Sequence, residues 1–95
     1  MEQQSVGLAG LVEEMVSALC DEPHLGQVDA KTENGILTLR VRVAPGDVGK
    51  VIGKKGGTAR SIRIILGAAA RKQGIVCQLD ICNDRNEVSH GDGEE

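Results

Sequence analysis

No Phe, Tyr or Trp occurs anywhere in this sequence, and that absence constrains every fold open to it. Ninety-five residues, 40% of them hydrophobic, hold material for one small core. Ile, Leu, Val, Ala and Met must therefore do all of its packing. The chain reads as a short N-terminal extension (1–5), one domain (6–82) and a polar, acidic, Gly-containing stretch (83–95) expected to be a disordered tail.

Within the domain the apolar pattern changes period several times. Leu8, Leu11, Val12, Met15, Val16 and Leu19 recur at helical spacing, which predicts a helix over about residues 6–20, stopped in Asp21-Glu22-Pro23. Two strands follow, Gln27 to Thr32 and Ile36 to Val43, divided by Asn34-Gly35, a pair suited to the positive φ angles of a tight hairpin. Leu37, Leu39, Val41 and Val43 give the second strand a core face; Thr38, Arg40 and Arg42 give it a solvent face. Asp47 is placed to cap a short helix through Ile52. After Gly53-Lys54-Lys55-Gly56-Gly57, the residues Ala59, Ile62, Ile65, Leu66 and Ala69 form a helical stripe, predicting a helix to about Lys72 closed by Gly74. Ile75, Cys77, Leu79 and Ile81 alternate as a last strand. The order α-β-β-α-α-β predicts an α+β fold: a three-stranded sheet covered on one face by three helices.

The net charge of −3 conceals a division along the chain. Residues 40–72 hold nine of the eleven Lys and Arg against the single acid Asp47, a net +8, which leaves −11 for the rest. A ligand meeting the middle of the chain meets a basic surface. Without aromatic side chains, RNA-recognition modules that stack bases on aromatic platforms are excluded. Cys20, Cys77 and Cys82, with His24 and His90, show no zinc spacing, so no metal or other cofactor is expected, and Cys20 and Cys77 read as small buried hydrophobes of a reducing compartment. No apolar run approaches the roughly 18 residues of a membrane span, and a cytoplasmic location is expected.

The turn from Gly53 to Gly57 carries the chemistry. Its glycines permit unusual backbone angles and let a phosphodiester strand approach the main chain closely. The next helix begins at about Gly57, so its unpaired N–H groups and positive dipole end face the same place as Lys54 and Lys55. All of these terms favour an anion. A bare Gly-x-x-Gly is also an ordinary helix-to-helix corner; here Val51 and Ile52 before it, Ala59 and Ile62 after it, and the surrounding basic segment favour the binding reading.

The string from Val43 to Arg63, VAPGDVGKVIGKKGGTARSIR, resembles the signature of bacterial single KH-domain proteins of the KhpA type, and the likeness extends over about residues 6–82. The resemblance implies a type II KH fold without catalysis or a small-molecule substrate. It also implies single-stranded RNA bound in a groove between the helices flanking the Gly-rich loop and the adjoining strand, the loop clamping about four nucleotides. On this chain the site comprises Lys50, Ile52, Gly53, Lys54, Lys55, Gly56, Gly57, Ala59, Arg60, Ile62 and Arg63. Ile52, Ala59 and Ile62 would supply apolar wall or support. Family members are similar in forming homodimers, in pairing with a larger Jag-type KH protein, and in acting as RNA chaperones in post-transcriptional control and cell shape. Gly57 departs from the basic residue frequent after the loop in relatives, and Gly46 from a frequent acid; both bear on affinity more than on fold. The acidic residues after Ile81 lie outside the resemblance and are suited to screen the basic surface or compete with RNA for it.

Two other classes compete with this reading. A nucleotide-hydrolysing enzyme would need G-x-x-x-x-G-K-[ST], but Gly49-Lys50 is followed by Val51 and Gly53-Lys54 by Lys55. No GxGxxG and no triad-like set is present either. The stronger alternative is a protein-pairing module that binds RNA weakly or only in the complex, since a small core gains from a partner's apolar surface.

Overall fold

The computed structural model describes residues 3–82 and 88–90. Helix α1 (Gln3–Leu19) buries Leu8, Val12 and Val16, one turn apart along a single stripe; Leu11 and Met15 flank it half-buried, and Leu19 is at the surface. The helix starts earlier than expected: Gln3 to Ser5, read as extension, belong to it, while Met1 and Glu2 lie outside the described residues.

Strands β1 (Gln27–Glu33) and β2 (Ile36–Arg42) form the expected hairpin. Its two-residue turn has Asn34 at φ 53° and Gly35 at φ 77°, the mirror-image geometry whose twist matches that of the strands. A helical turn at Pro45–Asp47 leads into α2 (Val48–Ile52), and the loop after it into α3 (Gly57–Lys72). Strand β3 (Val76–Cys82) lies parallel to β2, Leu39 opposite Leu79, so β2 is central in a mixed sheet. The inward sides of β2 and β3 bury Leu37, Leu39, Val41, Leu79 and Ile81 against the stripes of α1 and α3 and Val51 of α2. This is the expected α+β arrangement, consistent with a type II KH fold.

Three differences from expectation have physical reasons. The buried stripe of α3 is Ala59, Ile62, Leu66 and Ala70, a rotation that leaves Ile65 50% and Ile64 67% exposed. Adjacent residues stand about 100° apart around a helix, so a narrow contact stripe cannot bury Ile64, Ile65 and Leu66 together. Asp47 makes no side-chain bond to its own helix; its buried carboxylate turns instead to the chain after α1. Third, Val88–His90 form a short strand β4, antiparallel to β3, and extend the sheet to four strands. Val88-Ser89-His90 lacks the apolar alternation that marks a strand with a buried face. The remainder of the expected tail, 83–87 and 91–95, lies outside the described residues.

The α3–β3 link is tight. Gly74, at φ 75°, donates to the Arg71 carbonyl (3.0 Å) and Ile75 to that of Ala70 (2.8 Å), the paired bonds of a Schellman ending. Helix and strand therefore run back to back in opposite directions.

Candidate functional site

Two short segments on either side of α2 determine where the basic residues go. Before it, the Asp47 carboxylate accepts the backbone N–H groups of Asp21 and Glu22, both at 3.0 Å. These two bonds, helped by Lys50, hold the Asp47 carboxyl below its ordinary pKa despite burial. Lys50 Nζ lies 3.4 Å from Asp21, 3.7 Å from Asp47 and 3.4 Å from the Gly46 carbonyl. Its charge is thus directed into the joint between α1 and α2. Cys20 sits at the same joint, where burial, reinforced by the Asp47 carboxylate, pushes its thiol pKa up; burial does the same to Cys77. Both thiols hold their protons at neutral pH and are weak nucleophiles.

After α2 the chain turns through backbone geometry. Gly53 adopts φ 78°, ψ 173°, a region open essentially to glycine. A β-carbon there would stand 2.2 Å from Thr58 Oγ1 and 2.7 Å from the Thr58 nitrogen. Lys55 (φ 54°, ψ 28°) and Gly56 (φ 76°, ψ 12°) are both left-handed, an arrangement that costs a residue with a β-carbon about 1 kcal/mol. Gly56 N–H bonds the Gly53 carbonyl at 3.1 Å, and Arg60 reaches back from α3 to the Lys55 carbonyl at 3.1 Å. Gly57 is different: it is already helical at φ −65°, with nothing within 4 Å of an added β-carbon.

The expected site residues consequently divide. Lys54, Lys55 and Arg60 are exposed around the turn, at the start of the 16-residue helix α3, where unpaired N–H groups and the helix dipole also favour negative charge. Gly53, Gly56 and Gly57 line the turn, half-buried, with Ile52 at its edge packed against the core. Ala59 and Ile62 are 1% and 4% exposed and anchor α3 to the sheet, offering almost no surface of their own. Arg63 is drawn across to β3, with Nε and a terminal nitrogen 3.4 and 3.3 Å from the Leu79 carbonyl. Thr58, whose hydroxyl fills the space a Gly53 side chain would need, was not singled out from sequence; only the turn's geometry shows its part.

Arg63 thereby ties α3 to β3, and the exposed cations around the turn make a place suited to anionic groups. Among the described residues, no three His, Cys, Asp or Glu side chains gather as a metal site, and no helix is long and apolar enough to cross a membrane.

Residues 9–81 match the family model described as KhpA/KhpB, KH domain. The chain is 42% identical over 71 residues to the RNA-binding protein KhpA of Halalkalibacterium halodurans, covering 75% of this chain and 93% of that protein. It is 43% identical over 63 residues to the protein of the same name from Clostridium acetobutylicum (66% and 84% covered), and 36% identical over 73 residues to that from Chlamydia trachomatis (75% and 91%). No solved structure matches the chain.

Proposed function

Because this chain belongs to the KhpA/KhpB KH-domain family, whose relatives above are RNA-binding proteins by name, we propose that it is a non-catalytic, cytoplasmic, single-stranded RNA-binding protein. In this reading the turn Gly53–Gly57 touches the phosphate backbone while Lys54, Lys55 and Arg60 supply charge. The observation that carries it is the conformation of Gly53 and Gly56: bare main chain lies at the surface beside three exposed cations. With no aromatic platform, sequence preference is weak and affinity strongly salt-dependent. Such a protein acts after transcription, as a chaperone or regulator of RNA.

The test is the double variant Lys54→Asp/Lys55→Asp. Fluorescence anisotropy with a single-stranded RNA of about 12 nucleotides should show affinity falling about 100-fold or more. The salt slope should flatten by about 1.4, as two phosphate contacts are lost. Circular dichroism should remain that of the parent. Unchanged affinity in the folded variant removes this turn as the site.

A second reading, a pairing module, is supported by Ile64 and Ile65, exposed side by side on α3. In it the chain forms a homodimer, or a heterodimer with a Jag-type KH protein, through that surface. Ile64→Asp/Ile65→Asp should then sediment as a monomer where the parent sediments as a dimer. A parent monomeric at every concentration tested, and failing to join a Jag-type protein, rejects this reading.

A further inference from the structure

Strand β4 lies on the edge of β3 opposite β2. Arg63 on α3 is level with Leu79 on β3, and the two elements run in opposite directions from their tight link. From Arg63 back to Gly57 is six helical residues, about 9 Å at 1.5 Å each. From Leu79 on to Cys82 is three strand residues, about 10 Å. The end of β3 is therefore level with the Gly-rich turn. That end is where β4 pairs, with Asp80 opposite His90, Ile81 opposite Ser89 and Cys82 opposite Val88. Exposure along β3 changes at the same place: Gln78 is exposed, whereas Asp80, on the same side of the strand, is 7% exposed. Residues 83–95 carry five acids against one arginine, a net −4, opposite in sign to the net +8 of residues 40–72.

We propose that β4 is an intramolecular competitor for RNA. It occupies the edge of β3 level with the turn and is flanked in sequence by acidic residues, so RNA must displace it to bind fully. The proposal rests on the RNA-binding reading above. A strand of three residues is a weak latch. Apparent affinity is reduced by the fraction of molecules in which it is closed, so its release raises affinity about three- to tenfold rather than by orders of magnitude.

The experiment compares the full-length parent with full-length Ser89→Pro, which places a residue without an N–H at the middle of β4. Both are titrated with a fluorescein-labelled single-stranded RNA of about 12 nucleotides in about 50 mM and about 200 mM KCl. Ser89→Pro should bind about three- to tenfold tighter at the lower salt, with a smaller difference at the higher. A second full-length variant, Asp92→Asn/Glu94→Gln/Glu95→Gln, should show part of the gain with β4 intact. In the parent, RNA should accelerate hydrogen exchange at the Ser89 amide. Equal affinities of all three chains, with Ser89 exchange unaffected by RNA, overturn the proposal and leave the turn as the site. Weaker binding by Ser89→Pro also overturns it, because β4 would then be part of the RNA surface. Failure of every chain to bind RNA at low salt overturns the RNA reading itself, and the competitor with it.

Discussion

At its N-terminal end the five-residue helix α2 meets the chain after α1 through a buried carboxylate, two main-chain donors and an ion-paired lysine. At its C-terminal end it runs into a turn held by main-chain bonds and Arg60, with Lys54 and Lys55 facing solvent. Lys50 and Lys54 are four residues apart and carry the same charge, yet the fold uses one and leaves the other available. In the RNA-binding reading, positive charge near the motif is available to a ligand only where no internal carboxylate has taken it.

The most severe way to break this contrast is Gly53→Ala. The added methyl overlaps Thr58, so the turn must reorganise; the chain should lose about 3 kcal/mol in urea unfolding and most of its RNA affinity. Gly53→Ala/Thr58→Gly, which removes the side-chain overlap but neither the close approach to the backbone nitrogen of residue 58 nor the strained φ, should recover only part of both.

Asp47→Asn attacks the other end of α2. Asp47 has a lowered native pKa, so its contribution is complete above the ordinary carboxylate range and is lost as pH falls through about 4 toward the native value. The variant should melt several degrees below the parent at pH 7, with the gap narrowing as pH falls below the ordinary carboxylate range. A gap independent of pH would show that the carboxylate's charge is not what the two amides recognise.

The two lysines give the sharpest comparison. Lys54→Ala should weaken RNA binding about tenfold with stability unchanged. Lys50→Ala should change affinity less than about twofold and stability by about 1 kcal/mol, since Lys50 is half-exposed and the Asp47 carboxylate keeps its two amide donors. Equal effects on RNA would erase the distinction drawn here.

Gly57→Arg should have the smallest effect and the opposite sign. The position is already helical and open, so the variant should gain about 0.5 kcal/mol by losing glycine's unfolded-state freedom. RNA should bind somewhat more tightly, with a steeper salt slope.

What could be read from the sequence had local causes. Asn34-Gly35 specifies its turn through the φ angles those residues tolerate, and alternation in β2 specifies its buried face, so both appear in the structure where expected. The Gly-Lys-Lys-Gly turn was legible for the same reason. Contacts between distant segments were not: Asp47 looked like a helix cap because its partners, Asp21 and Glu22, lie some twenty-five residues away. The spacing along α3 predicts Ile65 and Ala69 in the stripe, whereas tertiary packing turned the helix to bury Ala70 and leave Ile65 exposed. Likewise Lys50 and Arg63 carried the charge expected of site residues, and only the fold shows them engaged with Asp47 and Leu79.

The Schellman ending of α3 also bears on motion. Only Gln73, Gly74 and Ile75 join that helix to β3, and each donates its N–H back into the last turn of the helix. The helix that begins at the Gly-rich turn and the strand behind it therefore shift as one piece, and in the RNA-binding reading their spacing is set before any polynucleotide arrives.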